Sequence, residues 1–221
     1  MTAETRSHRR TTTLPDAFGV FVRRPSPWII TTLLAGALAA RIAVGDWQLT
    51  DALVAGVMLA FFPVTEWVIH VCILHWRPRR IGRLTLDSLL ARKHREHHAD
   101  PRRVDLIFIP WQTFLWLFPA LVVLAALAFP RIGLGLTFLT VVGTLGLAYE
   151  WTHYLIHTDY QPRTRLYTAV RRNHRLHHFK NEHYWFTVTS SGTADRLLGT
   201  YPDPASTPNS RTATALHGTG R

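Results

Sequence analysis

Four long apolar stretches, arranged as two close pairs, restrict this chain more than anything else in its sequence. They run over residues 28–44, 49–69, 111–129 and 132–156. A helix that crosses a bilayer needs about 20 apolar residues. The second and fourth stretches meet that length outright; the first and third fall slightly short. The stretches are apolar on nearly every face, which suits lipid better than the one-sided burial of a soluble bundle. Only a few residues separate the members of each pair, so each pair is expected to form a tight helical hairpin. Arg41 lies near the far end of the first stretch, where a long side chain is expected to reach the headgroups.

Charge then orients the hairpins. The formal net charge of +11 would suggest nucleic acid in a soluble protein. Its distribution argues otherwise. Of the 25 Lys and Arg residues, 23 lie in the N-terminal stretch, the loop between the hairpins, or the C-terminal region. Arg41 and Arg131 are left at the hairpin tips. The positive-inside rule places both termini and the middle loop in the cytoplasm. The basic charge is thereby assigned to topology and anionic lipid, and nucleic-acid binding is not expected. Residues 1–27 form a basic cytosolic segment without the apolar core or cleavage pattern of a signal peptide. Residues 28–201 form the membrane domain, and residues 202–221, rich in Pro, Ser, Thr, Ala and Gly, read as a disordered tail. The single cysteine, Cys72, excludes an intrachain disulfide and any thiolate cluster.

Ten histidines follow these hairpins in two matching sets. The first is Glu66-Trp67-x2-His70-x4-His75, then His94-Arg95-Glu96-His97-His98. The second is Glu150-Trp151-x-His153-x3-His157, then His174-Arg175-Leu176-His177-His178. All ten fall on the side assigned to the cytoplasm. A duplication and a shared ligand geometry explain the repeat equally well. With about 100° per residue, each His-x-x-His-His triplet spans about 100° of arc and aims its rings at one point. His153 and His157 share a face, whereas His70 and His75 stand about 140° apart on a regular helix. They need a local break or they serve different metals; Pro63 upstream can bend the helix. Clustered imidazoles without a metal would strand many polar groups in a drying environment.

Imidazole suits Zn, Cu, Fe and Ni. A structural zinc takes four ligands, so two zincs leave ligands over. Five imidazoles per metal, with an open position, fit two irons that must meet O2, with zinc or copper as adventitious substitutes. Glu66 and Glu150 lie about one turn before the first histidine of their sets. They are expected to orient imidazoles rather than to bind metal directly. Asp159, Asn173, Asn181 and His183 are further candidates for supporting the ligands, and Asn173 also fits as an N-cap for the last triplet's helix. His8 and His217 fall in the tails and receive no role. Trp111, Trp116, Trp151 and Trp185 are read as interfacial anchors, with lining of a lipid entrance as the alternative.

The stretches EWVIHVCILH, KHREHH, EWTHYLIHT, NHRLHHFKNEHYWFTVTS and ADRLLGTYP resemble the integral-membrane fatty acid hydroxylase and sterol desaturase superfamily over roughly residues 60–200. The resemblance implies an all-α membrane protein, with four transmembrane helices in two hairpins under a cytosolic helical cap. It also implies a non-haem diiron centre that uses O2 and external electrons. Its ligands would be His70, His75, His94, His97, His98, His153, His157, His174, His177 and His178. Unlike some members, the sequence shows no cytochrome b5 domain. A separate donor, a ferredoxin or a cytochrome b5-like protein with its reductase, is therefore expected. The implied reaction is hydroxylation of an unactivated C–H bond in a membrane lipid, whether fatty acyl, sterol-like or isoprenoid. Desaturation at the same site is the nearest rival. A metal transporter should hold ligands at mid-membrane, and a zinc hydrolase should pair an open zinc with a general base such as Glu96.

Overall fold

The computed structural model describes residues 11–217; Arg6, His8, Arg9 and Arg10 lie outside that range. Among the described residues, four helical segments are long and apolar enough to cross a membrane: Pro25–Val44, Leu49–Leu74, Val104–Ala128 and Ile132–Ile156. They contain α2 (Pro25–Val44), α3 (Leu49–Ile69), α6 (Phe114–Ala128) and α7 (Ile132–Ile156), with the short α5 (Val104–Ile107) leading into α6. α2 begins with proline in its first turn and stops at Gly45, whose φ of 72° only glycine adopts without strain. α7 is the central element, because α2, α3 and α6 all pack on it. Two of its glycines permit that approach. A Cβ on Gly135 would meet the Ala125 carbonyl of α6 at 2.7 Å, and one on Gly143 would meet Leu34 of α2 at 2.9 Å. Small residues at such crossings let apolar helices gain dispersion contact where no water drives them together.

The cap comprises α4 (Leu89–Ala99), α8 (Arg165–Phe179) and α9 (Thr193–Leu197). Ser88 caps α4 by accepting from Ala91 N, and Thr164 caps α8 by accepting from Tyr167 N. α4 and α8 both end in a His-x-x-His-His triplet and bury it. Asn173 therefore lies inside α8, not at its start as the N-cap reading expected.

Three further expectations are corrected. Arg41 does not reach outward; its side chain is 1 % exposed. It donates to Thr137 Oγ1 at 2.9 Å, pairs with Asp46 at 3.0 Å and Asp51 at 3.1 Å, and stacks on Trp47 at 3.6 Å. Arg131 pairs with the same two aspartates, so one network fastens both hairpin tips. A guanidinium turned inward toward two carboxylates is satisfied without water. Arg41→Ala is expected to lower the thermal midpoint by roughly 5–10 °C while leaving metal content intact, measured on purified protein in lipid nanodiscs. Second, the N-terminal segment is not merely basic. It forms α1 (Leu14–Phe21), closed by a capping box between Thr13 and Asp16, whose Ala17 and Phe21 pack with Phe108, Tyr154 and Leu155. Third, residues 202–217 of the expected disordered tail pack onto the cap. Ser210 N donates to Lys180 O at 2.7 Å, Thr212 Oγ1 donates to Glu182, and Ala213 and Leu216 are buried. Composition misses this order because it comes from hydrogen bonds to the cap. A two-stranded ribbon, β1 (Arg79–Ile81) and β2 (Leu84–Leu86), is the one sheet among the described residues.

Candidate metal centre

The ten sequence-selected histidines converge. His70, His75, His94, His98 and His177 form one group, and His97, His153, His157, His174 and His178 form another. Within each group, one ring nitrogen per residue lies within 4.8 Å of all the others. The groups do not follow the sequence sets. The middle histidine of each triplet, His97 or His177, crosses to join the other set's group. His98 and His178 meet ring to ring at 4.2 Å where the groups adjoin. Each group thus takes four histidines from one set and one from the other.

The His70 and His75 problem is resolved by a π-helical turn over His70–Leu74. Relative to Glu150-x2-His153-x3-His157, the first set carries one extra residue in each gap. A π turn absorbs an extra residue without ending the helix. It closes with His75 N donating to His70 O at 2.9 Å, which brings the two rings to 4.9 Å.

Backbone carbonyls, not carboxylates, orient four of the rings. The Nδ1–H of His70 donates to Phe186 O at 2.5 Å and that of His153 to Ile107 O at 3.0 Å. The Nδ1–H of His98 donates to Ala213 O and that of His177 to Tyr184 O, both at 2.8 Å. A ring that donates through Nδ1 presents Nε2 as a bare lone pair. The Nε2 atoms of neighbouring rings face each other. Nε2–Nε2 separations are 3.1 Å for His70–His94, 3.2 Å for His94–His98 and 3.2 Å for His75–His177. In the second group they are 3.3 Å for His153–His157, 3.0 Å for His157–His174 and 3.0 Å for His174–His178. Nitrogens this close are joined by an N–H···N hydrogen bond or by a cation that takes both lone pairs. A metal–nitrogen distance of about 2.1 Å puts ligands at right angles about 3.0 Å apart, so the spacing fits a shared ion. His97 makes the same point. It is 1 % exposed, neither of its ring nitrogens has a hydrogen-bond partner, and His157 and His178 lie 4.5 and 4.7 Å away ring to ring. Burial, reinforced by neighbouring imidazoles, holds His94, His97, His174, His177 and His178 well below the ordinary histidine range. His98 is pushed down to about 3 by burial, against the pull of the Ala213 carbonyl. The rings are thus neutral, the form that binds metal.

The two glutamates act one step further out. Glu66 accepts from Thr189 N at 3.1 Å and Thr189 Oγ1 at 2.7 Å, three residues beyond the carbonyl that holds His70. Glu150 accepts from Ile109 N at 2.8 Å and Ser26 Oγ at 2.7 Å, two residues beyond the carbonyl that holds His153. Each helix therefore grips one loop twice, through a glutamate and a histidine.

Asn173, Asn181 and His183 bond to groups other than the rings. Asn173 accepts from Tyr201 OH at 3.2 Å. Asn181 donates to Pro208 O and accepts from His183 N, and the exposed His183 ring lies 3.5 Å from Glu182. Asp159 is half-buried and its charge is felt at Arg175. Two contributors were missed. Asp195, fully buried, accepts from Phe186 N, Thr187 N and Thr187 Oγ1 and so fixes the loop that holds His70. Its signal was the acid inside ADRLLGTYP. His217 touches His75 O through Nε2 at 2.9 Å, against its dismissal as a tail residue. Trp185 is fully buried, so it is no interfacial anchor, whereas Trp111 and Trp116 are exposed.

A model of the fatty acid hydroxylase family matches residues 55–200, a stretch that includes all ten histidines. Two dihydroceramide fatty acyl 2-hydroxylases of Arabidopsis thaliana are similar. FAH2 is 26 % identical over 195 residues, covering 84 % of this chain and 77 % of its own. FAH1 is 29 % identical over 157 residues, covering 70 % and 62 %. A structure of full-length scs7p, with only its hydroxylase domain visible, superposes with a TM-score of 0.63 at 19 % identity. That match covers 91 % of this chain and 70 % of the other, and it shows the same fold.

Proposed function

The chain belongs to the fatty acid hydroxylase family, and from that premise we propose that it hydroxylates an unactivated C–H bond in the fatty acyl chain of a membrane lipid, with O2 as co-substrate and electrons delivered by a separate protein. One observation carries the reading: two adjoining groups of five neutral imidazoles, buried at the ends of apolar spans. The names of the Arabidopsis relatives support the acyl substrate. We assign one iron to each group; His70, His75, His94, His98 and His177 hold the first, and His97, His153, His157, His174 and His178 the second. Five nitrogens exceed the four that a structural zinc takes, which favours iron. The irons, when bound, supply the O2-dependent attack on carbon.

The protein's own part is positional. Carbonyls at Phe186, Ile107, Ala213 and Tyr184 fix the rings before any ligand arrives. Burial keeps water from the centre, which protects an oxidising reaction from side paths. Placement at the ends of the spans lets an acyl chain reach the centre from the bilayer. We take residues 28–201 as the membrane domain, with α1 packed on Phe108, Tyr154 and Leu155. The distribution of Arg and Lys supports a cytoplasmic position for the termini and the centre. Arg171, Arg172, Arg175 and Lys180 line one groove on α8, a surface suited to an acidic ferredoxin or cytochrome b5-like donor.

The test is isotopic. Protein produced with iron is analysed for metal, then given lipid extract, a reductant system and 18O2. Label in an acyl hydroxyl, read by mass spectrometry, is expected. Two tightly held zincs with no oxygen-dependent product under any donor would sink the reading.

A further inference from the structure

We propose that the β1–β2 hairpin is a membrane-surface wedge whose apolar face lies in the headgroup layer of an anionic bilayer beside the metal centre. The strands pair Arg79 with Leu86, Arg80 with Thr85 and Ile81 with Leu84. Paired residues share a face and successive residues alternate. One face therefore carries Ile81, Leu84, Leu86 and Arg79, and the other carries Arg80 and Thr85. All six are exposed, with Ile81 at 62 % and Leu84 at 71 %. An isolated two-stranded ribbon is at best marginal in water. Among the described residues nothing buries this face.

Position and charge identify what covers it. Arg79 follows Leu74, the end of the second span, by five residues. The ribbon therefore starts within about 18 Å of the span's end, whatever path the linker takes. Arg77, Arg79, Arg80 and Arg83 surround the apolar residues, and residues 76–86 contain no acid. That combination of an apolar face and a basic fringe is the pattern of segments that lie in the interface of anionic membranes. Trp76, stacked under Arg79 at 4.9 Å, is an aromatic of the interfacial type. The ribbon is also held at its base. Arg95 donates to Trp76 O at 3.3 Å and pairs with Asp87 at 2.5 Å, so one side chain of α4, between His94 and His97, clamps both ends. The tip stays open, since a Cβ on Gly82 would meet nothing within 4 Å. The inference needs only that the spans cross a bilayer and is independent of the proposed reaction.

The test uses the full chain in nanodiscs. In a Cys72→Ser background, Leu84→Cys and Thr85→Cys are each labelled with an environment-sensitive fluorophore; Ile81→Cys repeats the apolar-face measurement. In nanodiscs of phosphatidylcholine with phosphatidylglycerol, the Leu84 and Ile81 labels are expected to shift to the blue. They should also be quenched by shallow lipid nitroxides at least about twofold more than the Thr85 label. Arg79→Gln, Arg80→Gln and Arg83→Gln together are expected to bring that quenching down to its level in phosphatidylcholine alone. Equal water exposure on both faces would overturn the proposal. So would Leu84→Cys crosslinking between chains without lipid quenching, which would assign the face to a second copy.

Discussion

His97→Ala is expected to empty the second histidine group and leave the first one filled, although His97 belongs to the first set in sequence. Metal content should fall from two ions per chain to about one, and turnover by more than about 100-fold, beyond the usual cost of losing an outer-shell partner. His177→Ala should do the reverse, emptying the first group. Pairs of substitutions read the grouping directly. His97→Ala with His153→Ala strikes one group twice and should still retain about one ion, because losses within a unit are not additive. His94→Ala with His97→Ala strikes neighbours in the same helix but in different groups, and should retain almost none. Metal analysis of protein that inserts and runs as one species decides the matter. One ion kept by the His94 and His97 pair would mean that the groups are drawn wrongly.

The second large effect concerns the glutamates, which we place as positioning residues. Glu150→Ala leaves Ile109 N and Ser26 Oγ without their acceptor, and Glu66→Ala does the same to Thr189. Each stranded donor costs about 1–3 kcal/mol, and a loosened anchor is expected to weaken metal binding about 10–100-fold. The glutamines separate this role from proton transfer. Both donors to Glu150 converge on Oε1, which a glutamine keeps, so Glu150→Gln should hold metal within about threefold of the parent. Glu66 uses both oxygens, so Glu66→Gln should fall between parent and alanine. Metal titration and turnover are measured together. A Glu150→Gln variant with full metal and no turnover would make Glu150 a proton carrier instead.

The contrast between what the sequence disclosed and what it hid has physical causes. The spans were legible because lipid demands long apolar runs, and the two longest, 49–69 and 132–156, coincide with α3 and α7. All ten histidines were legible from spacing, and the break between His70 and His75 was legible from angle alone. Its form, a π turn, depends on backbone hydrogen bonds that no residue type announces. The crossing of His97 and His177 was hidden because it depends on how α4 and α8 face each other. The carbonyl anchors were hidden for a simpler reason: every residue has a carbonyl. Glu66 and Glu150 were found but assigned to the rings, when their bonds go to the loops that hold the rings. Arg41 was misjudged because its partners Asp51 and Thr137 lie on two other helices.

The exchanged histidines also set a timetable for biosynthesis. A nascent chain that has reached His98 carries four of the five ligands in the first group, and the fifth, His177, arrives 79 residues later. The second group waits for His178, the very next residue. Both groups therefore close on the same turn of α8, in one step. Neither hairpin alone can complete a group, so a chain that stops short of α8 is spared a fully ligated metal.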